Sequence, residues 1–251
     1  MKKKILISTG GSGGHVVPAL NLYSHLKNEF DVSIYTDVRG AKYIPNEIKR
    51  TIFEVKKVPE KNFFFPLKIF FLFWAFIKSL IHFRGNKIDI LISTGGYMSL
   101  PIVIAAKIFN IKIILFEPNS IIGRSNKFLM RFASQVLCYD KNIIIGHNEK
   151  SIVPKNKAVV IDPILNNCFY SKQNKNEIKN EKLKILIIGG SQASLFFSKY
   201  LKSEIIQLSK KYKIEITQQL SPGFDINTYQ KEYAKNNIKN NLFFFEDNFL
   251  C

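Results

Sequence analysis

A chain of 251 residues, 46% of them hydrophobic, carries enough apolar material for one large or two modest domains with real cores, which excludes a disordered chain. Lys and Arg number 37 against 19 Asp and Glu, and the resulting formal charge of +18 favours anionic partners. The basic residues are 32 Lys and only 5 Arg, scattered and without an RRM, KH or zinc-finger signature, so nucleic acid is not expected as a partner; an AT-rich coding bias explains the Lys, Asn, Ile and Phe excess as readily as a phosphate-bearing ligand does.

In chain order, β-type runs alternate with helical stretches. Strands are expected over Lys4–Thr9, Val32–Thr36, Ile52–Lys57, Ile88–Ser93, Lys112–Phe116 and Gln135–Tyr139. Helices are expected near Val16–Lys27, Leu67–Phe83, Leu100–Asn110 and Gly123–Phe132. This alternation predicts βαβ units on a parallel sheet. The polar, Asn/Lys-rich run at 166–182 reads as a linker. After it come a strand over Lys184–Ile188, a helix near Gln192–Tyr212, a strand over Ile214–Thr217, a helix near Asn227–Asn236 and a strand over Leu242–Phe245. The expected organisation is an α/β first domain over 1–165, the linker 166–182 and a partial second domain over 183–251.

Three strands end on paired glycines: "ISTGG" at 7–11 and again at 92–96, and "IIGGSQ" at 187–192. In parallel α/β sheets ligands collect beyond the carboxyl ends of the strands. A helix that starts just after such a bend turns unpaired N–H groups toward that space, which suits a diphosphate. "GGSGG" at 10–14 is followed by His15, so it is neither GxGxxG in register nor a Walker loop. Tight turning alone explains any one of these corners; three together suggest a phosphate-binding hollow.

Other features bound the setting. Cys138, Cys168 and Cys251 have no CxxC or paired spacing, which speaks against zinc or a disulfide framework and fits a reducing compartment. The apolar run after "MKKK" is too short for the core of a signal peptide. The stretch "FFFPLKIFFLFWAFIKSLIHF" at 63–83 is interrupted by Pro66, Lys68 and Lys78, so a span is not expected. It reads as an amphipathic helix at a membrane surface, with a patch of Phe71, Trp74 and Lys78, or as a helix buried against the sheet; opposite faces can satisfy both. His25, His82 and His147 fit no motif and are expected at the surface.

The stretches "GGSGGHVVPAL" (10–20), "GGYMSLP" (95–101), "FEPNSIIGRSNKFL" (116–129) and "GGSQAS" (189–194), in that order, resemble the MurG glycosyltransferases over almost the whole chain. The resemblance implies a GT-B architecture of two Rossmann-like parallel-sheet domains facing a cleft, the second incomplete here. It implies an inverting hexosyltransferase that moves N-acetylglucosamine from UDP-GlcNAc to the MurNAc C4 hydroxyl of lipid I, forming lipid II for peptidoglycan, with no cofactor or metal. It also implies a peripheral position on anionic lipid at the cytoplasmic face of the bacterial inner membrane.

Carried over residue by residue, the resemblance gives His15 and Glu117 as candidates for the base. Ser12, Gly13, Gly14, Asn119, Ser191, Gln192 and Phe245 fall at donor-binding positions, and Gly10, Gly11, Gly95, Gly96, Tyr97 and Ser99 on the acceptor and diphosphate loops. Three departures stand out. "FEPN" has Phe116 and Pro118 where the family has His and Gln. Leu165 stands where the family has an Arg near the diphosphate, and Ala193 where it has Gly. The family's chains run on past the segment equivalent to residue 251, into the part that completes the donor pocket. Alternative readings are therefore a membrane-surface half-enzyme completed by a separate chain, and a non-catalytic remnant of a frameshifted gene.

Overall fold

The computed structural model describes residues 2–53, 65–140, 153–165, 182–190 and 193–244, without the side chains of 65–68. The chain divides into two compact units, Met1–Tyr170 and Ser171–Cys251. The first runs β1 (Lys4–Ser8), α1 (Gly13–Leu26), β2 (Asp31–Asp37), α2 (Val38–Ala41), β3 (Arg50–Phe53), α3 (Phe65–Gly85), β4 (Ile90–Ser93), α4 (Ser99–Ile108), β5 (Lys112–Glu117), α5 (Arg124–Leu129), β6 (Gln135–Cys138) and β7 (Ala158–Val160). The second runs β8 (Leu183–Ile187), α6 (Leu195–Ser209), β9 (Ile214–Gln219), α7 (Ile226–Lys235) and β10 (Lys239–Phe243).

The central strands β1, β4 and β5 are short, rich in Ile and Leu, and largely buried on both faces, as a sheet covered by helices on both sides demands. They form one seven-stranded parallel sheet in the order β3-β2-β1-β4-β5-β6-β7. Alternation divides the core. Leu6, Leu91, Ile113, Leu115 and Val136 face one layer with Met98, Ile102 and Leu129 from the helices. Ile5, Ile7, Ile34, Ile92 and Phe116 face the other, with Val16, Ala19 and Leu22 of α1.

The two identical sequence echoes sit side by side. β1 pairs with β4 in register, Ile7 opposite Ile92 and Ser8 opposite Ser93, and the Thr94 amide continues the ladder to the Ser8 carbonyl at 3.0 Å. β2 and β3 lie on one side of β1 and β4 to β7 on the other, so the strand order reverses between β1 and β4. Such a reversal opens a crevice beyond the strand ends, and both "ISTGG" corners occupy it.

Two short elements, α2 and β7, are absent from the sequence expectation. The strand expected over Ile52–Lys57 starts earlier, at Arg50, because its pairing with β2 runs from Ile34 opposite Arg50 to Asp37 opposite Phe53 and buries Phe53.

Helix α3 packs Ala75, Ser79 and Phe83 inward on α4. Phe71, expected in the outward patch, lies one turn before Ala75 on this same stripe and is half-buried against the core. The exposed side carries Phe70, Phe73, Trp74 and Ile81, with the Lys78 ammonium 5.8 Å from the Trp74 ring centre. No helix among the described residues is long and apolar enough to cross a membrane. His82, expected at the surface, is half-buried edge-on to Tyr35 and Phe83. His147 lies outside the described residues.

The second unit is a three-stranded parallel sheet in the order β10-β9-β8, with Ile205, Ile214, Ile216, Leu220, Tyr229, Tyr233 and Leu242 in its core. Asp225 caps α7 by accepting the amides of Asn227 at 3.0 Å and Thr228 at 3.3 Å.

Candidate functional site

A cavity of about 310 Å³ opens where β1 and β4 end. It is lined by Gly10, Gly11, Ser12 and His15 from the first corner and Gly95, Gly96 and Tyr97 from the second. Arg39 comes from α2, just past the end of β2, and Gly123, Arg124, Ser125 and Asn126 from the start of α5. Of the residues expected at acceptor and donor positions, Gly10, Gly11, Ser12, Gly95, Gly96 and Tyr97 share one hollow with the base candidate His15.

At Gly95 and Gly96 both backbone conformation and space call for glycine. Gly96 has φ +86°, and a Cβ on it would lie 2.7 Å from the Gly10 carbonyl oxygen. Gly95 has φ +94°, and its Cβ would press the His15 ring at 3.2 Å. The two corners thus touch backbone to backbone, and the imidazole fills the space left by a missing side chain.

His15 sits in the first turn of α1, where helical N–H groups have no helical partner. Its Nδ1 lies 2.9 Å from the Thr94 carbonyl oxygen. A carbonyl can only accept, so Nδ1 carries a proton and donates it; in the neutral form of the ring the lone pair is therefore on Nε2. The Thr94 hydroxyl in turn donates to the His15 carbonyl at 3.0 Å. The ring is thereby locked between the two corners in the tautomer a base requires. Ser12 caps α1 by position, yet its side chain makes no capping bond and lines the cavity. Gly13 and Gly14 lie in the helix behind it, away from the lining.

Glu117, at the end of β5, is buried and outside the lining. Its Oε1 accepts from Asn119 Nδ2 at 2.8 Å and the Asn119 amide at 3.3 Å; its Oε2 accepts from the Gly123 amide at 2.8 Å and Asn126 Nδ2 at 3.1 Å. Four donors occupy this carboxylate, so its evident work is to shape the 117–126 loop. Asn119 is exposed and does not line the cavity. Ser99 is also placed behind the corner: fully buried, it donates to the Gly95 carbonyl at 2.7 Å and receives the Ser8 hydroxyl at 3.2 Å. Asn126, in the quoted "FEPNSIIGRSNKFL" stretch but not singled out there, is buried at the cavity wall, and its Oδ1 has no hydrogen-bond partner in the structure.

Sequence reasoning missed Asp37 and Arg39. Asp37 is fully buried; Oδ1 accepts the amides of Gly11 at 2.9 Å and Gly40 at 2.8 Å, and Oδ2 accepts from Tyr97 Oη at 3.0 Å and Arg39 Nε at 3.3 Å. One carboxylate thus ties β2, the first glycine corner and the "GGY" corner together. Burial, reinforced by the Asp37 charge, pushes the Tyr97 hydroxyl up to about 12, so it stays protonated and donating. The one local signal in "TDVRG" is an Asp at the end of a strand, a candidate N-cap, and Asp37 does cap α2; nothing in it points to the cavity.

In the second unit, Gln219 braces the third corner: its Oε1 accepts the Gly189 amide at 2.9 Å, and its Nε2 donates to the carbonyls of Gly190 and Phe244, each at 3.0 Å. Ala193 holds φ +55°, a left-handed conformation that glycine adopts without cost. Ser191, Gln192 and Phe245 lie outside the described residues.

Two parallel Rossmann-like sheets, with glycine corners at their strand ends, define an α/β chain of the GT-B type. Residues 5–138 match the glycosyltransferase family 28 N-terminal domain. The chain is 45% identical over 248 residues to the UDP-N-acetylglucosamine–N-acetylmuramyl-(pentapeptide) pyrophosphoryl-undecaprenol N-acetylglucosamine transferase of Pelagibacter ubique, spanning 98% of this chain and 68% of that one. Its identity to the transferase of the same name from Rickettsia felis is 32%, over 98% of this chain and 69% of the other. Among solved structures, MurG of Acinetobacter baumannii superimposes with a TM-score of 0.67 at 22% sequence identity, covering 97% of this chain and 67% of that one. The chain belongs to the MurG family of glycosyltransferases.

Proposed function

We propose that the chain is an inverting N-acetylglucosaminyltransferase that moves GlcNAc from UDP-GlcNAc to the MurNAc C4 hydroxyl of lipid I, with the cavity between the β1 and β4 corners holding the acceptor's diphosphate end. Family membership supports the reaction class. The observation that carries the site is the His15 Nδ1 bond to the Thr94 carbonyl, which makes Nε2 the basic nitrogen of the neutral ring at a hollow floored by glycine backbone.

In this reading His15 Nε2 takes the proton from the acceptor hydroxyl as that oxygen attacks the anomeric carbon. The bond to the UDP oxygen breaks on the opposite face, so the configuration inverts and UDP leaves. The N-terminal turn of α1 supplies positive partial charge to the anions of the site. Glu117 acts as a positioning residue, holding Asn119 and Asn126 through its four bonds. The α3 face with Phe70, Phe73, Trp74 and Lys78 is the side that enters the headgroup layer of an anionic membrane, where the lipid acceptor resides.

The test is GlcNAc transfer from UDP-GlcNAc to a soluble lipid I analogue by the purified 251-residue chain. Turnover should fall by about 100-fold or more in His15→Ala, the usual reach of a general base. Equal turnover by both proteins removes His15 from the base role. No turnover by the unaltered chain removes the complete-enzyme reading.

A further inference from the structure

The transfer step uses His15 and the glycine corners, and leaves the one guanidinium at the β2 edge of the cavity without a task. We infer that Arg39 is a diphosphate-binding residue, its guanidinium presented by Asp37 and Tyr97 over the first glycine corner so that it engages the anionic oxygens of a ligand seated there. The inference rests on the cavity being a diphosphate site.

The geometry is that of a held side chain whose end is partly exposed. Arg39 is anchored to Asp37 through Nε at 3.3 Å, and its guanidinium carbon stands 5.1 Å from the centre of the Tyr97 ring. The Nε anchor and the neighbouring Tyr97 side chain restrain the fork from two sides. The terminal amine Nη2 lies 3.5 Å from where a Cβ on Gly11 would stand, so it overhangs the corner where backbone is bare. The side chain keeps 38% of its surface exposed while Asp37 keeps none, which places the cation at the cavity and its counter-charge behind it. Asp37 spreads its charge over four donors, two of them backbone amides, so the guanidinium is positioned without being consumed.

Residue type points the same way. Lys outnumbers Arg 32 to 5 in this chain, yet the cations lining the cavity are Arg39 and Arg124. A planar fork that binds two oxygens at once is what a diphosphate rewards and an ammonium cannot offer. A purely architectural Arg39, present only to balance Asp37, would gain nothing from an exposed terminal fork.

The experiment is isothermal titration of the full chain with inorganic pyrophosphate, UDP and farnesyl diphosphate, comparing Arg39→Gln and Arg39→Lys with the unaltered protein. Gln retains a donor toward Asp37 without the charge, and Lys retains the charge without the fork; circular dichroism melts confirm that both fold. The expected result is a loss of affinity of about tenfold or more for pyrophosphate in Arg39→Gln and a smaller loss in Arg39→Lys. A loss that extends to farnesyl diphosphate but not UDP assigns the group to the acceptor, and the converse assigns it to the donor. Pyrophosphate binding unchanged in folded Arg39→Gln overturns the inference. An unaltered chain that binds none of the three ligands overturns the diphosphate reading of the cavity itself.

Discussion

At the scale of single residues, the site depends on contacts too close for substitution. Gly96→Ala would bring a methyl within 2.7 Å of the Gly10 carbonyl at a left-handed φ. It should lower stability by about 2 kcal/mol or more and separate the two corners, measurable as a shifted denaturation midpoint together with lost diphosphate binding. Glu117→Ala removes the acceptor of four N–H groups and should cost about 2–3 kcal/mol. A Glu117→Ala variant with unchanged stability and abolished turnover would instead return Glu117 to the base role. In the second unit, Ala193→Gly relieves a left-handed alanine and should raise stability by about 0.5 kcal/mol, the relief of strain exceeding the added freedom of the unfolded chain.

At the scale of elements, most of the frame was legible and the reason is periodicity. β1 and β4 announce themselves by "ILIS" runs ending on glycine, and α1 by the apolar recurrence behind "GGSGGH". Their adjacency was not legible, because only the strand order brings Thr94 to His15 across 79 residues. The four-residue α2 and three-residue β7 carry too few residues for a period to show. Arg39 and Asp37 escaped because their roles arise from bonds to Gly11 and Tyr97, 26 residues and 60 residues from Asp37 respectively, which no local pattern encodes. Phe71 was misplaced by reading an aromatic cluster as one face, when the stripe Phe71, Ala75, Ser79, Phe83 turns inward.

The same helix α3 yields a pH prediction. Burial, with Lys49 and Lys4 nearby, holds the His82 pKa below its ordinary value. A depressed pKa means the folded state resists the proton while the unfolded chain accepts it near 6.5. The contribution is therefore intact above 6.5 and is lost as pH falls toward the folded-state value. Melting temperatures between about pH 7 and 5 should decline less steeply for His82→Phe, which keeps an edge contact on Tyr35, than for the unaltered chain.

At the scale of the whole molecule, a charge of +18 and an aromatic face on α3 act together. Co-sedimentation with anionic vesicles should fall when Phe73 and Trp74 are both replaced by Glu, and fall again with added salt, since burial and attraction contribute separately. Among the described residues of the second unit, β8 lies at the sheet edge with Leu183 and Leu186 exposed, near in sequence to exposed Leu195 and Phe196 on α6. Such an apolar edge should drive concentration-dependent self-association, seen by sedimentation velocity and reduced in Leu186→Lys.

The proposed transfer requires that the adjoining β1 and β4 corners receive an anionic acceptor. Amide hydrogen exchange, measured with and without a soluble lipid I analogue, reads this most directly. Protection gathered at residues 10–15, 94–97 and 123–126 is the predicted result. Binding of the analogue with those amides unchanged, and protection elsewhere, would contradict it.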